Sequence, residues 1–231
     1  PGRYIQSISD SSKEAWIKLY NSTSASIDTQ VSYYRFGLLL SLCLDVYLRQ
    51  AGSSLPIFLR VIWRKFSSTQ DGYTRSELKL ELQKIQDSLP DELDLWLDEP
   101  NSLPIESVLS DLGLLLTQIN TNLVDTGMRI IEDEDCFFIN RIAHQSPGFF
   151  ADVIIGDQII AINNFRITKL SDFNDFFTPD ETALLTYFRK GRLFNCHITP
   201  KMVKEPKWKL VVDDNSSDYT SNLRKEWLKV I

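Results

Sequence analysis

Apolar positions in the first half of the chain recur every three to four residues, the spacing that places side chains on one face of an α-helix. Ala15, Trp16, Leu19 and Tyr20 form one such face. Ahead of them Ser11-Ser12-Lys13-Glu14 reads as a capping box, with a hydroxyl and a carboxylate three residues apart that satisfy orphan N–H groups reciprocally. Over residues 31–50 the apolar positions run almost all round, which predicts a helix buried in the core and stopped near Gly52. Ser53 or Ser54 can cap the next helix, over residues 55–66, with Pro56 in its first turn. Thr74-Arg75-Ser76-Glu77 is a second capping box, opening a helix to about Asp87. Residues 93–97 and 104–111 predict two shorter helices, the last ended by Gly113.

Past about Asn120 the period changes. Residues 128–131, 136–142, 158–162, 182–188 and 193–199 are short runs rich in Ile, Phe, Thr and Val. Turn formers divide them: Ser146-Pro147-Gly148, Gly156-Asp157, Asn163-Asn164 and Lys190-Gly191-Arg192. These are strand signals. One amphipathic helix, over 169–177, interrupts them. The last thirty residues or so hold a Lys/Pro-rich connector, a strand candidate at 208–212 and a helix from about Thr220. The fold class expected is α+β in several units. Residues 1–124 form an all-helical bundle, 125–200 a small β-barrel-like domain with one or two helices, and 201–231 a strand and helix that pack back.

Composition narrows the function. The net charge is −6, and no segment is a basic patch interleaved with aromatics, so nucleic acid is not an expected partner. Cys43, Cys136 and Cys196 are isolated and odd in number, which argues against a disulfide framework or a zinc knuckle and suits free thiols in a reducing, cytoplasmic setting. The longest apolar run, residues 36–44, is too short to span a bilayer, and no membrane partner is expected. The chain opens on Pro1-Gly2-Arg3 without a Met or a signal sequence, as though cut from something longer. The five tryptophans fall at helical or strand positions and are expected in the core.

The string Ser146-Pro147-Gly148 followed by Gly156-Asp157-Gln158-Ile159-Ile160-Ala161-Ile162-Asn163-Asn164 has a legible logic. A tight turn launches a buried strand in which Ile160 and Ile162 share a face, and the Asn pair turns the chain back. With its surroundings, 127–200, it resembles a PDZ domain of the bacterial type. That resemblance implies peptide binding by strand addition. The receiving strand is expected at Phe137-Phe138-Ile139-Asn140, and the opposite wall at the helix bearing Phe173 and Phe177. The acidic run Glu132-Asp133-Glu134-Asp135 before the strand argues against capture of a terminal carboxylate. A PDZ domain that only packs against its own chain is the plainer alternative.

The helical half carries Pro1-Gly2-Arg3, Gln6-Ser7, Ala15-Trp16-Ile17-Lys18, Gln30-Val31-Ser32-Tyr33-Tyr34-Arg35-Phe36-Gly37, Asp45-Val46-Tyr47-Leu48-Arg49, Trp63-Arg64-Lys65-Phe66 and Leu103-Pro104-Ile105. The end of the chain adds Trp208-Lys209-Leu210-Val211 and Glu226-Trp227-Leu228. In this order the strings resemble the glycyl aminopeptidases, zinc peptidases of the aminopeptidase N-like clan with C-terminal PDZ domains. The resemblance implies a zinc-dependent enzyme releasing small N-terminal residues, Gly or Ala, from peptides. His-Glu-x-x-His is absent, and His144 and His197 lack ligand partners at useful spacing. No metal is therefore expected in this chain, and the zinc of the full-length enzyme is expected on an N-terminal catalytic part that is also a partner of this one. The resemblance further implies that Tyr34, in Tyr34-Arg35-Phe36-Gly37, is the tyrosine that stabilises the oxyanion, with Tyr33 and Arg35 in support.

Two other readings stay open. A non-catalytic adaptor would present its PDZ groove to a partner. A degenerate peptidase would keep the scaffold without activity.

Overall fold

The computed structural model describes residues 2–23, 25–68 and 72–229. Pro1, which opens the first string above, lies outside them. The chain divides into two compact units, residues 1–117 with 209–231 and residues 118–208.

Unit 1 is helical. α1 (Ile8–Lys13) starts at Ser7, whose hydroxyl accepts from the Asp10 N–H at 3.0 Å. The cap expected at Ser11 is absent because Ser11 is buried inside α1, where its hydroxyl donates to the Val31 carbonyl at 2.6 Å. A π-helical turn, Ala15–Leu19, and one α-turn, α2 (Ser26–Thr29), lead to α3 (Tyr33–Gln50). α3 ends as its sequence requires, with Gly52 in the left-handed region at φ +77°. Its burial differs from expectation. Cys43, Leu44, Val46 and Leu48 are in the core, but Tyr34 and Leu38 in the first half are exposed. By length and composition alone the stretch Ser26–Gln50, with an 18-residue window of mean hydropathy 1.3, would suffice to cross a membrane, which the shorter run 36–44 concealed.

α4 (Leu55–Phe66) is capped by Ser54, and α5 (Arg75–Gln83) by the Thr74/Glu77 box. α6 (Leu89–Asp98) starts earlier than expected because Pro90 sits in its first turn, where a missing N–H leaves nothing unpaired. α7 (Ile105–Asp111) is followed by Gly113 at φ +62°. α8 (Asp218–Leu228) packs Leu223 into the same core. Trp96 lies at its centre, edge-on to Tyr47 with ring centroids 5.1 Å apart. Each aliphatic side chain fully buried here contributes about 1.5–3 kcal/mol. Of the other tryptophans only Trp227 packs against this core. Trp16, Trp63 and Trp208 are 80%, 72% and 56% exposed, against expectation.

β1 (Leu114–Asp125) leaves unit 1 and enters unit 2. The sheet of unit 2 then runs through β2 (Met128–Asp133), β3 (Cys136–Ile142), β4 (Gln158–Ile162), β5 (Phe165–Arg166), β6 (Ala183–Arg189) and β7 (Arg192–Ile198). Its order is β2-β3-β4-β6-β7, with β5 paired to β4, and these neighbours pair antiparallel. This is the PDZ-like architecture, and the all-α bundle followed by a PDZ-like unit stands as expected. β8 (Lys201–Val212) returns along β1 as an exposed two-stranded ribbon. The sequence pattern missed most of this ribbon. Both faces of β1 meet water, so its Thr, Gln and Asn residues show no inward stripe. The division between units falls inside the ribbon, where the sequence places it at 124/125 and 200/201.

Two details of unit 2 differ from the sequence reading. A register shift between Ile159 and Ala161 in β4 turns Ile159 and Ile162 into the core instead of Ile160 and Ile162. The helix expected over 169–177 is two 3₁₀ turns, Leu170–Asp172 and Asn174–Phe176. Asn174 and Asp175 are poor helix formers, and Pro179 pushes the residue before it away from the helical region.

The β4 strand is held by Asp157, 1% exposed. Its carboxylate accepts from the Ile154 N–H at 2.9 Å and from Arg189 through Nε and Nη2 at 2.9 and 2.7 Å. This bond raises the guanidinium's pKa further. Asp157→Ala leaves Arg189 and the Ile154 N–H without their partner and should cost unit 2 about 3–5 kcal/mol. The check is amide hydrogen exchange, which should accelerate in β4 and β6 and stay unchanged in α3 and α6. Unchanged exchange in β4 would contradict this assignment.

Candidate functional site

The first forty residues form one connected device that fixes the start of α3. The Val31 N–H donates to Gln6 Oε1 at 3.0 Å, and the Val31 carbonyl accepts from Ser11. Gln6 also donates to Glu14 at 3.0 Å. Gly2 approaches the Gln30 backbone so closely that a Cβ would lie 2.2 Å from its carbonyl oxygen. Only glycine fits that approach.

The device presents a cluster of tyrosines. Tyr33 and Tyr34 occupy the first turn of α3, and their rings stack with centroids 4.2 Å apart. Tyr20 reaches them from the end of the π-helical turn, where its N–H bonds the Ala15 carbonyl five residues back. Its hydroxyl lies 2.6 Å from that of Tyr34 and 3.4 Å from that of Tyr33. Trp16 stacks on Tyr20 at 5.0 Å. Hydrogen bonds from Tyr20 and then Tyr33 hold the Tyr34 phenol below its ordinary value, while the same network moves Tyr33 upward. Tyr34 is 60% exposed, so its ring is open to solvent. At a helix N-terminus the unsatisfied N–H groups also favour negative charge nearby. Arg35 is exposed and points about 100° around the helix from Tyr34. Tyr20 was not singled out from the sequence. Its helical spacing from Trp16 is legible there, but not the turn that aims it at α3.

In unit 2 the residues proposed for a peptide groove are differently placed. β3 is an interior strand: Ile131, Glu132 and Ile130 of β2 face Phe138, Phe137 and Ile139 on one side. On the other side β4 pairs Phe137 with Ile159 and Phe138 with Gln158, and Ile139 exchanges bonds with Gly156 and Asp157. No edge of Phe137–Ile139 is left for an added strand. Phe137 and Ile139 are core residues, and so are Phe173 and Phe177, which meet edge-on with centroids 5.3 Å apart. Phe138 and Asn140 are half-buried. The sheet's edge on this side is β2, one strand earlier than expected. The acidic run lies at the β2–β3 turn, the far end of β2 from the loop that begins it.

Among the described residues no group of three or more His, Cys, Asp and Glu is arranged to hold a metal ion. His197 is exposed on β7, and His144 meets Phe149 edge-on at 5.0 Å. The three cysteines are free. Burial pushes the Cys43 and Cys196 thiols up to about 11, which leaves them unreactive near neutral pH.

Residues 1–40, the device that holds the tyrosines, match the family model of the M61 glycyl aminopeptidases. The crystal structure of an aminopeptidase N family protein from Idiomarina loihiensis shares the fold over 99% of this chain, with a TM-score of 0.76 and 23% identity. The chain spans 41% of that protein's length. A serine endoprotease from Yersinia pestis matches 37% of this chain and 30% of its own, at 18% identity and a TM-score of 0.31. The HtrA3 PDZ domain bound to a phage-derived ligand matches 40% of this chain and 93% of its own, at 16% identity and a TM-score of 0.32. No curated protein matches the sequence. The resemblance to the glycyl aminopeptidases is thus met again over residues 1–40, and the fold of the whole chain is shared with the aminopeptidase N family structure.

Tyr20→Phe removes the hydroxyl that holds Tyr34. The earliest tyrosinate in an ultraviolet pH titration of the chain should then move up toward the ordinary value near 10. A titration identical to that of the unsubstituted chain would separate Tyr20 from Tyr34.

Proposed function

We propose that this chain is the C-terminal portion of a zinc-dependent aminopeptidase that releases small N-terminal residues, Gly or Ala, from peptides. The observation that carries the proposal is the place of the family match. It covers the segment that builds the tyrosine cluster, and that cluster presents an exposed, hydrogen-bonded phenol at a helix N-terminus.

The described residues do not fit a zinc site, so the ligands belong to a part of the enzyme outside this sequence. Zinc there supplies Lewis-acid chemistry. The contribution of this chain is Tyr34. Its hydroxyl donates a hydrogen bond, which strengthens as the peptide carbonyl oxygen it meets becomes anionic. Tyr20 and Tyr33 fix the direction of that hydroxyl. Arg35 adds positive charge nearby. The exposed Trp16, Ile17, Leu38, Leu59 and Trp63 support the same reading, because an isolated bundle seldom leaves so much large apolar surface in water. It suits a face covered by the remainder of the enzyme. The PDZ-like unit binds peptide.

A non-catalytic adaptor is the second reading, and the open outer edge of β2 favours it. The two part on activity. In the intact enzyme Tyr34→Phe should lower kcat on alanine and glycine anilides by about 10²-fold, the loss of one oxyanion donor. KM and the unfolding midpoint should change little. A chelator should abolish activity, and zinc should restore it. An unchanged kcat removes Tyr34 from the mechanism, and an intact enzyme without peptidase activity leaves the adaptor.

A further inference from the structure

β2 is the edge of its sheet and, among the described residues, pairs with β3 alone. The 3₁₀ turn Leu170–Asp172 lies against it and forms a second wall. An open edge of this kind accepts an extended chain through backbone hydrogen bonds. What it accepts is governed by its two ends.

The loop that begins β2 is Asp125-Thr126-Gly127, with Gly127 in the left-handed region at φ +70°. Consecutive N–H groups in such a loop are natural donors to a carboxylate. Here both are taken. The Gly127 N–H donates to Asp125 Oδ1 at 2.8 Å, and the Met128 N–H to Thr126 Oγ1 at 3.3 Å. The loop is also clamped in place. The Gly148 N–H donates to the Thr126 carbonyl at 2.7 Å, and the Ala143 N–H to the Gly127 carbonyl at 2.8 Å. Ser146 lies so near Gly127 that an added Cβ would be 2.0 Å from it. At the opposite end stand Glu132 and Asp133, followed by Glu134 and Asp135 in a left-handed turn, all exposed. Carboxylates thus flank the edge at both ends, with Arg129 between them.

We propose that the outer edge of β2 receives an extended, lysine- or arginine-bearing segment from within a polypeptide, and that the Asp125 side chain closes the adjoining loop to C-terminal carboxylates. The proposal rests on the peptide-binding reading of unit 2. Asp125 supplies from the chain itself the carboxylate that the loop would otherwise take from a ligand. A second carboxylate arriving there would find the Gly127 and Met128 N–H groups engaged and would meet a like charge. Lysines along the segment answer the acidic turn at the other end.

The test is calorimetric titration of the whole chain with three short peptides. One is an acetylated, amidated peptide of alternating Val and Lys. The second is the same peptide with a free carboxyl end, and the third is the amidated peptide with Glu in place of Lys. The two Lys peptides should bind equally, within about twofold, and the Glu peptide should not bind. Asp125→Ala, which frees the Gly127 N–H, should make the free-acid peptide bind about tenfold tighter than its amide, a gain of about 1.4 kcal/mol. Asp125→Asn keeps the acceptor and should show no such preference, so a folding defect in the alanine variant does not decide the matter. Backbone amide shifts should fall within residues 128–133.

A preference of the unsubstituted chain for the free acid, or none in a folded Asp125→Ala variant, overturns the closure by Asp125. Shifts confined to β7, or equal binding of the Glu peptide, overturn the β2 assignment. Binding of no peptide overturns the peptide-binding reading with it.

Discussion

A carboxylate removed from water must be met by donors, and each unit of this protein is organised around one. In unit 1 it is Asp45, which accepts from the Leu55 N–H at 2.7 Å and from Arg49 Nε at 2.9 Å. Arg49 continues to the Glu226 carbonyl at 3.0 Å. One buried charge thereby ties the middle of α3 to the start of α4 and the end of α8. In unit 2 Asp157 joins the loop before β4 to Arg189 at the end of β6. Such groups add little net stability over an apolar replacement, but losing one partner is costly. They therefore specify which elements meet more than how tightly. The rest of each core, Trp96 with its neighbours and Ile139 with Ile162 and Leu185, fills the space so defined.

The same demand for satisfied polar groups shapes both candidate sites. At the tyrosine cluster, Gln6 and Ser11 take up both backbone groups of Val31, so α3 begins at one place and Tyr34 is presented in one direction. At β2, Asp125 and Thr126 take up the donors of the loop, while the strand's outer edge stays open. The tyrosine cluster leaves an exposed phenol bonded to a neighbouring hydroxyl, and the loop at β2 spends two of its N–H groups internally.

Exposure separates the halves of α3. From Cys43 to Leu48 it is core, and before that Tyr34 and Leu38 face water. Residues of the same apolar character serve both halves, so composition alone does not say which half is covered. The exposed tryptophans teach the same lesson. Trp16 stacks on Tyr20 and supports the cluster, and Trp63 stands on the open face of α4.

Local chemistry determined most of the elements. Ser54, the Thr74/Glu77 box, Gly52, Gly113 and the Asn163-Asn164 turn each satisfy or redirect the backbone within a few residues, so their effects are written in short strings. The strings around Tyr34 and around Gly156-Asp157 carried the resemblance for the same reason. Tertiary structure decided what depends on distant partners. β1 and β8 became a ribbon because each offers the other its backbone, although neither shows a buried face. The edge of the sheet proved to be β2 and not Phe137–Asn140, because strand order is a matter of pairing across the sheet. Tyr20 joined Tyr34, and Ser11 left its capping role for Val31, through hydrogen bonds between residues more than ten positions apart. A pattern of apolar and polar positions records which side of an element is buried. It does not record which group, far along the chain, will satisfy a given donor.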